Sequence, residues 1–201
     1  MNEEFDFTKD YVLEDDIVLL RPLEQKDFNN LLPFALNEPE LWKFSLVGAE
    51  GEQGLQNYMN ITLDARKEAK EYPFIVFDKR TNEYAGSTRF YDIQIAFKTL
   101  QLGYTWYGKK FQGTGLNKRC KFLLLSLAFE QIGMERFELR ADNNNERSIA
   151  AMKSIGCKVD GILRSNMPKS DGGRRDSIVL SILKDEWFAD VKEKLKEKLS
   201  K

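Results

Sequence analysis

Two kinds of hydrophobic pattern alternate along the 201-residue chain. Short apolar runs bounded by turn residues predict β-strands, and longer segments with apolar residues three and four apart predict amphipathic helices. The predicted strands cover residues 17–20, 72–77, 84–91, 100–107, 137–141, 159–164 and 177–183. The predicted helices cover residues 24–37, 51–71, 116–131, 146–155 and 185–201. Gly133 and Gly156 are placed to end two of them.

These elements predict a fold of the α/β class (mixed α+β) built on one central sheet of about seven strands. A single mixed sheet with helices on its faces accommodates all of them. No repeat, low-complexity linker or shift in composition divides the chain, so residues 1–201 are expected to form one domain with a core from about residue 17 to 183. Because residues 185–201 are rich in Lys and Glu, we expect a solvated helical tail there.

The composition removes several classes of chemistry. The chain has no histidine, which excludes Ser-His-Asp and Cys-His nucleophile systems and zincin-type metal motifs. Its two cysteines, Cys120 and Cys157, lie far apart in apolar surroundings, and we expect both to be reduced and buried. The sequence therefore predicts neither a metal site nor a disulfide.

Charge and hydropathy lead to expectations about location and partners. The 31 basic and 32 acidic residues nearly cancel, so no overall field favours nucleic acid or an anionic membrane. Residues 1–16 are acidic and lack the order of a signal peptide, and the longest apolar stretch is too short to span a bilayer. We expect a cytoplasmic protein that binds neither nucleic acid nor membrane, and a homodimer is left open.

Residues 112–117, with the sequence QGTGLN, stand between a predicted strand and a strongly amphipathic helix. The first turn of a helix has backbone N–H groups without intrahelical partners and a partial positive charge. Glycines let the preceding backbone turn tightly, so that an anion can approach those groups. Lys118, Arg119 and Lys121 follow, where acidic residues are usually favoured. This combination predicts an anion site, and the alternative is an ordinary turn beside solvated lysines.

Two nucleotide-binding motifs fit this segment incompletely. Gly108 and Gly113 have the separation of P-loop glycines, but Thr114 stands where that motif needs lysine. The dinucleotide pattern Gly-x-Gly-x-x-Gly is met at Gly113 and Gly115 and fails at Lys118. A nucleotide- or dinucleotide-dependent enzyme therefore stays an alternative without a complete motif.

The pattern Gln-x-x-Gly between a strand and a long helix resembles motif A of the Gcn5-related N-acetyltransferase (GNAT) superfamily. Residues 102–107 resemble the bulged strand before that motif, and residues 138–140, 145–148 and Gly156 resemble the family's second conserved block. Arg21-Pro22-Leu23 before a helix is similar too, so the resemblance covers about residues 17–183. The Asn-x-x-Ser spacing at Asn145, without a tyrosine seven residues later, resembles the branch of ribosomal-protein N-terminal acetyltransferases.

This resemblance implies a mostly antiparallel, twisted sheet that splays at the coenzyme site. It implies acetyl-CoA as cosubstrate and a primary amine as acceptor, with direct attack in a ternary complex. The backbone of Thr105, Trp106 and Tyr107 would pair with the pantetheine arm. The residues that it assigns to the pyrophosphate loop are Gln112, Gly113, Thr114, Gly115, Leu116, Asn117 and Lys118. Asn145 and Ser148 would contact the distal arm of the coenzyme or fix their loop, although Asn145 is also a favoured helix N-cap.

Two residues depart from the family pattern, and one acidic residue is a candidate for catalysis. Asn117 replaces the usual Gly or Ala, and Met152 stands where many relatives have the tyrosine that protonates the leaving thiolate. The proton donor is therefore unassigned, and water is an option. Glu138, on the strand beside the expected pantetheine slot, is the candidate general base. Its alternative is a solvated or salt-bridged strand residue.

The acceptor is the least defined part of the prediction. Residues 42–55 and 169–176 are expected to border its pocket, and Arg174 and Arg175 are candidates to contact an acidic substrate. A protein N-terminal amine and a small amine or amino sugar both stay open. Because the thiolate acid is missing, a non-catalytic acyl-CoA-binding or interaction domain on the same fold is the alternative to an enzyme.

Overall fold

The computed structural model describes residues 5–169 and 172–200. Its strands are β1 (Leu13–Glu14), β2 (Val18–Pro22), β3 (Tyr72–Asp78), β4 (Glu83–Gln94), β5 (Thr99–Tyr107), β6 (Arg136–Asp142), β7 (Lys158–Pro168) and β8 (Arg174–Leu183). Its helices are α1 (Phe28–Asn37), α2 (Gly51–Lys67), α3 (Leu116–Ser126), α4 (Glu146–Ser154), α5 (Lys184–Glu186) and α6 (Lys192–Leu199). A π-helical turn, Leu127–Ile132, continues α3, and another, Trp187–Val191, joins α5 to α6.

All eight strands belong to one sheet with the order β1-β2-β3-β4-β5-β6-β8-β7. Each neighbouring pair is antiparallel except β5 and β6, which are parallel. This confirms the mixed, mostly antiparallel fold. The strand that the sequence did not predict is β1, because two residues are too few to show an alternating pattern.

The sheet is covered on both faces. Phe74, Ile75 and Val76 of β3 follow one another and are all 0% exposed. Successive side chains of a strand point to opposite faces, so three consecutive buried residues require cover on each side. Helices α1 and α2 contact each other and the strands β4 and β3, and α3 contacts β1 and β2.

A buried ion pair fixes the start of the first helical segment. The side chain of Asp27 is 0% exposed, and its carboxylate accepts hydrogen bonds from Arg21 Nη1 at 2.8 Å and Nη2 at 2.6 Å. It also accepts from the backbone N–H of Glu24 at 3.0 Å and from Asn30 Nδ2 at 3.0 Å. The Arg21-Pro22-Leu23 segment noted in the sequence therefore ties β2 to the helix that follows.

The prediction of a solvated C-terminal tail is wrong. Trp187 is 0% exposed and Leu195 is 1% exposed, and the Trp187 ring stacks on Phe129 with centroids 5.8 Å apart. Trp187 Nε1 donates to Glu130 Oε1 at 3.0 Å, which ties the segment to the end of α3. Apolar residues four apart share one helix face, and here that face packs on the core although Lys and Glu dominate the composition.

Cys120 and Cys157 are both free and buried, as expected. Burial raises the pKa of each thiol to about 12. Among the described residues, no helix is long and apolar enough to cross a membrane.

Candidate functional site

The site lies where the sheet opens between β5 and β6. These parallel strands pair only over Thr99–Gln101 on β5, matched to Arg136–Glu138 on β6. Beyond these residues, β5 continues to Tyr107 and β6 continues to Asp142, but the two strands no longer pair with each other. Backbone groups of β5 that face this gap have no strand partner on that side, which leaves an edge that an extended ligand can pair with.

A β-bulge lies in the divergent half of β5. Ser87 of β4 pairs with Trp106 and Arg89 pairs with Gly103, so β5 holds one more residue than β4 over this stretch. Tyr104 supplies the bulge with a φ of 48°. The Arg89 guanidinium lies 3.7 Å from the centroid of the Tyr104 ring, and Arg89 is itself buried. The structure thus contains the bulged strand that the sequence predicted, held by a buried cation.

A cleft of about 880 Å³ occupies the gap and extends to both sides of it. Its walls are β5 from Gln101 to Tyr107, β6 from Leu139 to Asp142, the loop before α3, the first two turns of α3, α4, and the segment 40–46. Of the predicted coenzyme residues, those that line the cleft are Thr105, Trp106, Tyr107, Gln112, Gly113, Gly115, Asn117, Lys118, Asn145 and Ser148. Thr114 and Leu116 belong to the same loop and helix start, but their side chains lie outside the lining.

The loop before α3 presents backbone N–H groups. Gly113 has a φ of 78° and Gly115 a φ of 85°, which are left-handed conformations that glycine adopts without strain. No residue in the described part of the chain accepts a hydrogen bond from the N–H of Gly113, Gly115 or Asn117. The backbone N–H groups of Lys118 and Arg119 both donate to Gly115 O, which closes the first turn of the helix. The arrangement suits an anion at the helix N-terminus.

Side chains hold this loop in place from outside. Gln112 Nε2 donates to Tyr107 O at 2.7 Å, which ties the loop to the end of β5. Thr114 Oγ1 donates to Phe111 O at 2.7 Å, and Arg80 Nη1 donates to Thr114 O at 3.2 Å. Gln112 and Thr114 therefore position the loop by their side chains.

The three cations of the first helical turns have different partners. Arg119 turns away from the cleft, since Nη1 binds Asp15 Oδ2 at 2.9 Å and Nη2 donates to Leu199 O at 2.9 Å. Lys118 and Lys121 line the cleft. The sequence had placed all three beside the anion, but it carries no information on Asp15, which lies more than one hundred residues away in the chain.

Lys121 is buried rather than solvated. It is 5% exposed, and its Nζ donates to Thr105 Oγ1 at 3.1 Å. Burial lowers the pKa of Lys121 to about 8. No carboxylate of the described residues contributes to this pKa. The sequence predicts Lys121 beside the anion site, and the structure places it in the same cleft. The pattern of apolar positions did not show that Lys121 is buried, because it does not reveal what covers a polar residue.

On the opposite wall, Asn145 is the N-cap of α4, and its Oδ1 accepts a hydrogen bond from the backbone N–H of Ser148 at 3.1 Å. The capping alternative for Asn145 is thus present in the structure. The cap uses only Oδ1, so Nδ2 of Asn145 and the Ser148 hydroxyl remain available to the cleft. Met152, on the same helix, is buried and lines the cleft as well.

Glu138 lies at the last paired position of β6 and does not line the cleft. Its Oε2 binds Arg136 Nη2 at 2.9 Å and its Oε1 binds Arg140 Nε at 2.7 Å. To take a proton from an amine, this carboxylate would have to give up one of the two ion pairs. Its assignment as general base stays a prediction.

Strand β8 contributes one buried arginine to the cleft. Arg175 of β8 is 7% exposed and lines the cleft, while Arg174 is exposed and donates to Ser165. Arg175 Nη1 is 3.5 Å from Phe44 O, and its buried Nε has no hydrogen-bond partner in residues 5–169 and 172–200. Burial lowers the pKa of Arg175, and Asp142 opposes that effect.

The residues expected to border the acceptor pocket are placed only in part. Of the predicted segment 42–55, residues 43–46 line the cleft, together with Glu40 and Leu41 just before it. Of the segment 169–176, Arg175 lines it. Ser170 and Asp171 of that predicted segment lie outside the described residues. Within the described residues, no group of three or more Cys, Asp or Glu side chains is arranged to hold a metal ion.

Comparisons with known proteins agree with this geometry. The acetyltransferase (GNAT) domain model matches residues 18–158. The "Putative ribosomal N-acetyltransferase YdaF" of Bacillus subtilis (strain 168) is 26% identical over 176 residues, covering 85% of this chain and 93% of its own length.

Two crystal structures show the same fold. A GCN5-related N-acetyltransferase from Brucella melitensis has a TM-score of 0.85 and 24% identity, over 93% of this chain and 84% of that one. RimL, a ribosomal L7/L12 alpha-N-protein acetyltransferase, has a TM-score of 0.78 and 17% identity, over 87% of this chain and 94% of that one. The chain belongs to the GNAT family of acetyltransferases and is an N-acetyltransferase.

Proposed function

We propose that this enzyme takes the acetyl group from acetyl-CoA and transfers it to a primary amine by direct attack in a ternary complex. The observation that carries the proposal is that the free N–H groups before α3 and the unpaired edge of β5 open into one cleft. An anion site and an open strand edge in one cleft suit the two parts of a phosphopantetheine arm, its phosphate end and its amides.

The proposed contacts cover the pyrophosphate and the pantetheine arm of the cosubstrate. The free N–H groups of Gly113, Gly115 and Asn117 would hold the pyrophosphate, with Lys118 as the cation beside it. The backbone of Thr105, Trp106 and Tyr107 would pair with the amides of the pantetheine arm. Across the gap, the Ser148 hydroxyl and Asn145 Nδ2 offer further polar contacts.

Direct attack is favoured over an acyl-enzyme because neither cysteine is a usable nucleophile. A thiol reacts as its thiolate, and burial raises the pKa of Cys120 and Cys157 to about 12. With no histidine in the chain, no base of the usual kind is present to activate a hydroxyl. The enzyme would instead act by holding the amine and the thioester together in a partly dry cleft.

Arg175 supports an acceptor that carries a negative charge close to its amine. A buried guanidinium whose Nε lacks a partner is costly, and a carboxylate or phosphate on the acceptor would satisfy it with paired hydrogen bonds. An amino acid, a peptide with an acidic residue near its N-terminus and a phosphorylated amine all meet this description. A protein N-terminus and a small amine both remain open as acceptors.

A binding panel tests the cosubstrate. We expect acetyl-CoA and free CoA to raise the melting temperature, since a ligand at about 100 times its Kd adds roughly 2.7 kcal/mol of stability. ATP and NADH serve as comparison ligands at the same concentrations. A response to ATP or NADH without one to either CoA species would overturn the proposal in favour of a nucleotide-dependent enzyme.

An acceptor screen tests the chemistry. Release of CoA thiol is followed with peptides that have neutral or acidic N-terminal residues, with amino acids, with simple amines and with amino sugars. We expect at least one primary amine to raise thiol release well above hydrolysis of acetyl-CoA alone. CoA binding without stimulation by any acceptor would favour the non-catalytic acyl-CoA-binding domain.

The role of Glu138 is tested in the same assay. If Glu138 is the general base, Glu138→Gln lowers kcat by about 100-fold or more, with little change in the binding of acetyl-CoA. Glu135→Gln is the control, because Glu135 is exposed and binds Lys184. A kcat of Glu138→Gln within a few-fold of wild type would reject Glu138 as the base.

A further inference from the structure

Lys121 is a buried titratable group that the coenzyme site described so far does not use. It lies in the second turn of α3, is 5% exposed and lines the cleft. An ammonium group has three N–H donors. In residues 5–169 and 172–200, its one hydrogen-bond partner is Thr105 Oγ1 at 3.1 Å. A buried charge with so few partners is expensive to maintain and is characteristic of a functional group.

Nζ of Lys121 lies beside the part of β5 that borders the reaction. Thr105 directly follows the bulge residue Tyr104, and its hydroxyl is fixed by a second hydrogen bond to Thr88 Oγ1 at 2.7 Å. The pyrophosphate loop follows the end of β5. A pantetheine arm that starts there and pairs with β5 therefore runs back from Tyr107 towards Tyr104. Its sulfur end would come to the level of Thr105 and of Lys121 Nζ.

Other groups around this point are poor proton donors. Met152 of α4 carries a thioether, which has no proton to give. Cys120 lies on α3 and Cys157 lies directly before β7, and burial raises the pKa of both thiols to about 12. Burial also raises the pKa of Tyr107 on β5 well above its usual value.

Of the other charged groups near this point, Arg89 lies over the Tyr104 ring and is paired with Glu71 at 2.9 Å. Asp15 contributes to the raised pKa of the Cys120 thiol, but its carboxylate is bound by Arg119 at 2.9 Å. Lys118 is the second cation on the cleft side of α3, one turn closer to the proposed pyrophosphate position. Lys121 is the buried lysine that bonds to the divergent half of β5.

We propose that Lys121 is a catalytic residue that protonates the sulfur of the departing CoA, an inference that rests on the proposed function. The neutral acceptor amine forms a C–N bond with the thioester carbonyl carbon. The C–S bond then breaks, and its electron pair stays on sulfur. Lys121 Nζ gives one proton to that sulfur and becomes neutral, while the new amide nitrogen loses a proton to water in the cleft. Lys121 regains its proton from solvent after the products leave.

The acidity of Lys121 suits this role. Burial lowers its pKa to about 8, and an ordinary thiol has a pKa of about 8.5. Proton transfer between groups of similar pKa is nearly balanced, and such a lysine is protonated again at neutral pH. Lysines at the ordinary value of 10.5 would hold the proton more tightly.

The first test uses free CoA and needs no acceptor. The ultraviolet absorbance of the thiolate is followed as bound CoA is titrated on wild type and on Lys121→Met. An ammonium next to the sulfur stabilises the thiolate, so we expect the bound thiol to titrate about one pKa unit lower on wild type than on the variant. Lys67→Met, which changes a solvent-exposed lysine, is the control and should match wild type.

The second test is the pH dependence of kcat with the best acceptor from the screen. We expect wild-type kcat to fall as the pH rises through about 8, because Lys121 loses its proton. Lys121→Met should have a kcat about 100-fold lower and should lack that descending limb. Lys121→Gln, checked for folding by circular dichroism, is a second variant in case the methionine variant does not fold.

The outcomes distinguish the role of Lys121 from the binding of CoA by the protein. Identical thiol titrations on wild type and variants, or a descending limb that persists without Lys121, would overturn the assignment of Lys121. A shifted thiol titration with an unchanged kcat would make Lys121 a coenzyme-binding residue and would also overturn it. Wild-type protein that fails to bind CoA would instead contradict the proposed function itself.

Discussion

Asp27 and Lys121 are both buried charged residues, but their surroundings differ in kind. The Asp27 carboxylate receives four hydrogen bonds, two of them from Arg21. Lys121 Nζ has a single hydroxyl partner and faces the cleft. A buried charge with every lone pair satisfied contributes to a fixed structure, whereas a buried charge with free donors is held ready for a ligand. Opposite effects of their substitution on stability would demonstrate this difference.

The largest effect is expected at Asp27. Asp27→Ala leaves the Arg21 guanidinium without its main partner and frees the N–H of Glu24, so we expect stability to fall by about 3–5 kcal/mol. Denaturant unfolding measures the loss. Asp64→Ala, at an exposed ion pair with Lys67, is the control and should cost no more than about 1 kcal/mol. If Asp27→Ala loses as little stability as Asp64→Ala, Asp27 does not stabilise the fold in the way that its contacts indicate.

At Lys121 the sign is expected to reverse. Burial lowers the pKa of Lys121 from 10.5 to about 8, so between these values the unfolded chain binds a proton that the folded protein lacks, and stability rises with pH. Below pH 8 both states are protonated, and the penalty of the buried charge is full, at about 3 kcal/mol. Lys121→Met should therefore be more stable than wild type at pH 7.

This advantage should shrink as the pH rises from about 8 towards 10.5, where the buried amine is neutral in wild type. Unfolding curves at several pH values measure it. If the difference in stability between wild type and Lys121→Met is independent of pH, the buried ammonium does not cause that difference.

Arg175 extends the comparison to a second buried cation of the cleft. If it binds an anionic acceptor, Arg175→Met should raise the KM for acidic acceptors by about 10- to 100-fold and leave neutral ones nearly unchanged. Arg174→Met is the matched control, because the neighbouring arginine is exposed and bonds to Ser165. Equal losses for acidic and neutral acceptors would show that Arg175 only supports the cleft wall.

The smallest effect is expected in the loop before α3. Gly113→Ala places a side chain on a residue with a φ of 78°, which costs about 1–2 kcal/mol. If the backbone relaxes to avoid that strain, its N–H groups move, and we expect about tenfold weaker binding of acetyl-CoA by calorimetry. Gly161→Ala is the control, since an added Cβ there meets no atom within 4 Å and the backbone is not left-handed. Unchanged binding would show that this loop does not hold the coenzyme.

Local pattern determined most of the fold and the site's framework. The period of α3 and the glycines at 113 and 115 are properties of neighbouring residues, so they can be recognised in the sequence alone. The bulge in strand 102–107 was expected only from the resemblance to the GNAT family, because a bulge depends on how β5 pairs with β4. The same segments carry the resemblance to the GNAT family, which the comparisons confirm. Backbone N–H groups supply the proposed anion site, and for that reason its position follows from local conformation.

The tertiary structure determined the partners and the burial of the individual charged side chains. Arg119 binds Asp15, Glu138 lies between Arg136 and Arg140, and the charged C-terminal segment docks through Trp187. Lys121 looks in the sequence like any lysine on the polar side of a helix, yet the structure buries it beside Thr105. Sequence spacing fixes the face of a helix on which a residue lies. The pKa and the partners of a side chain depend on what packs against that face, and distant parts of the chain supply it.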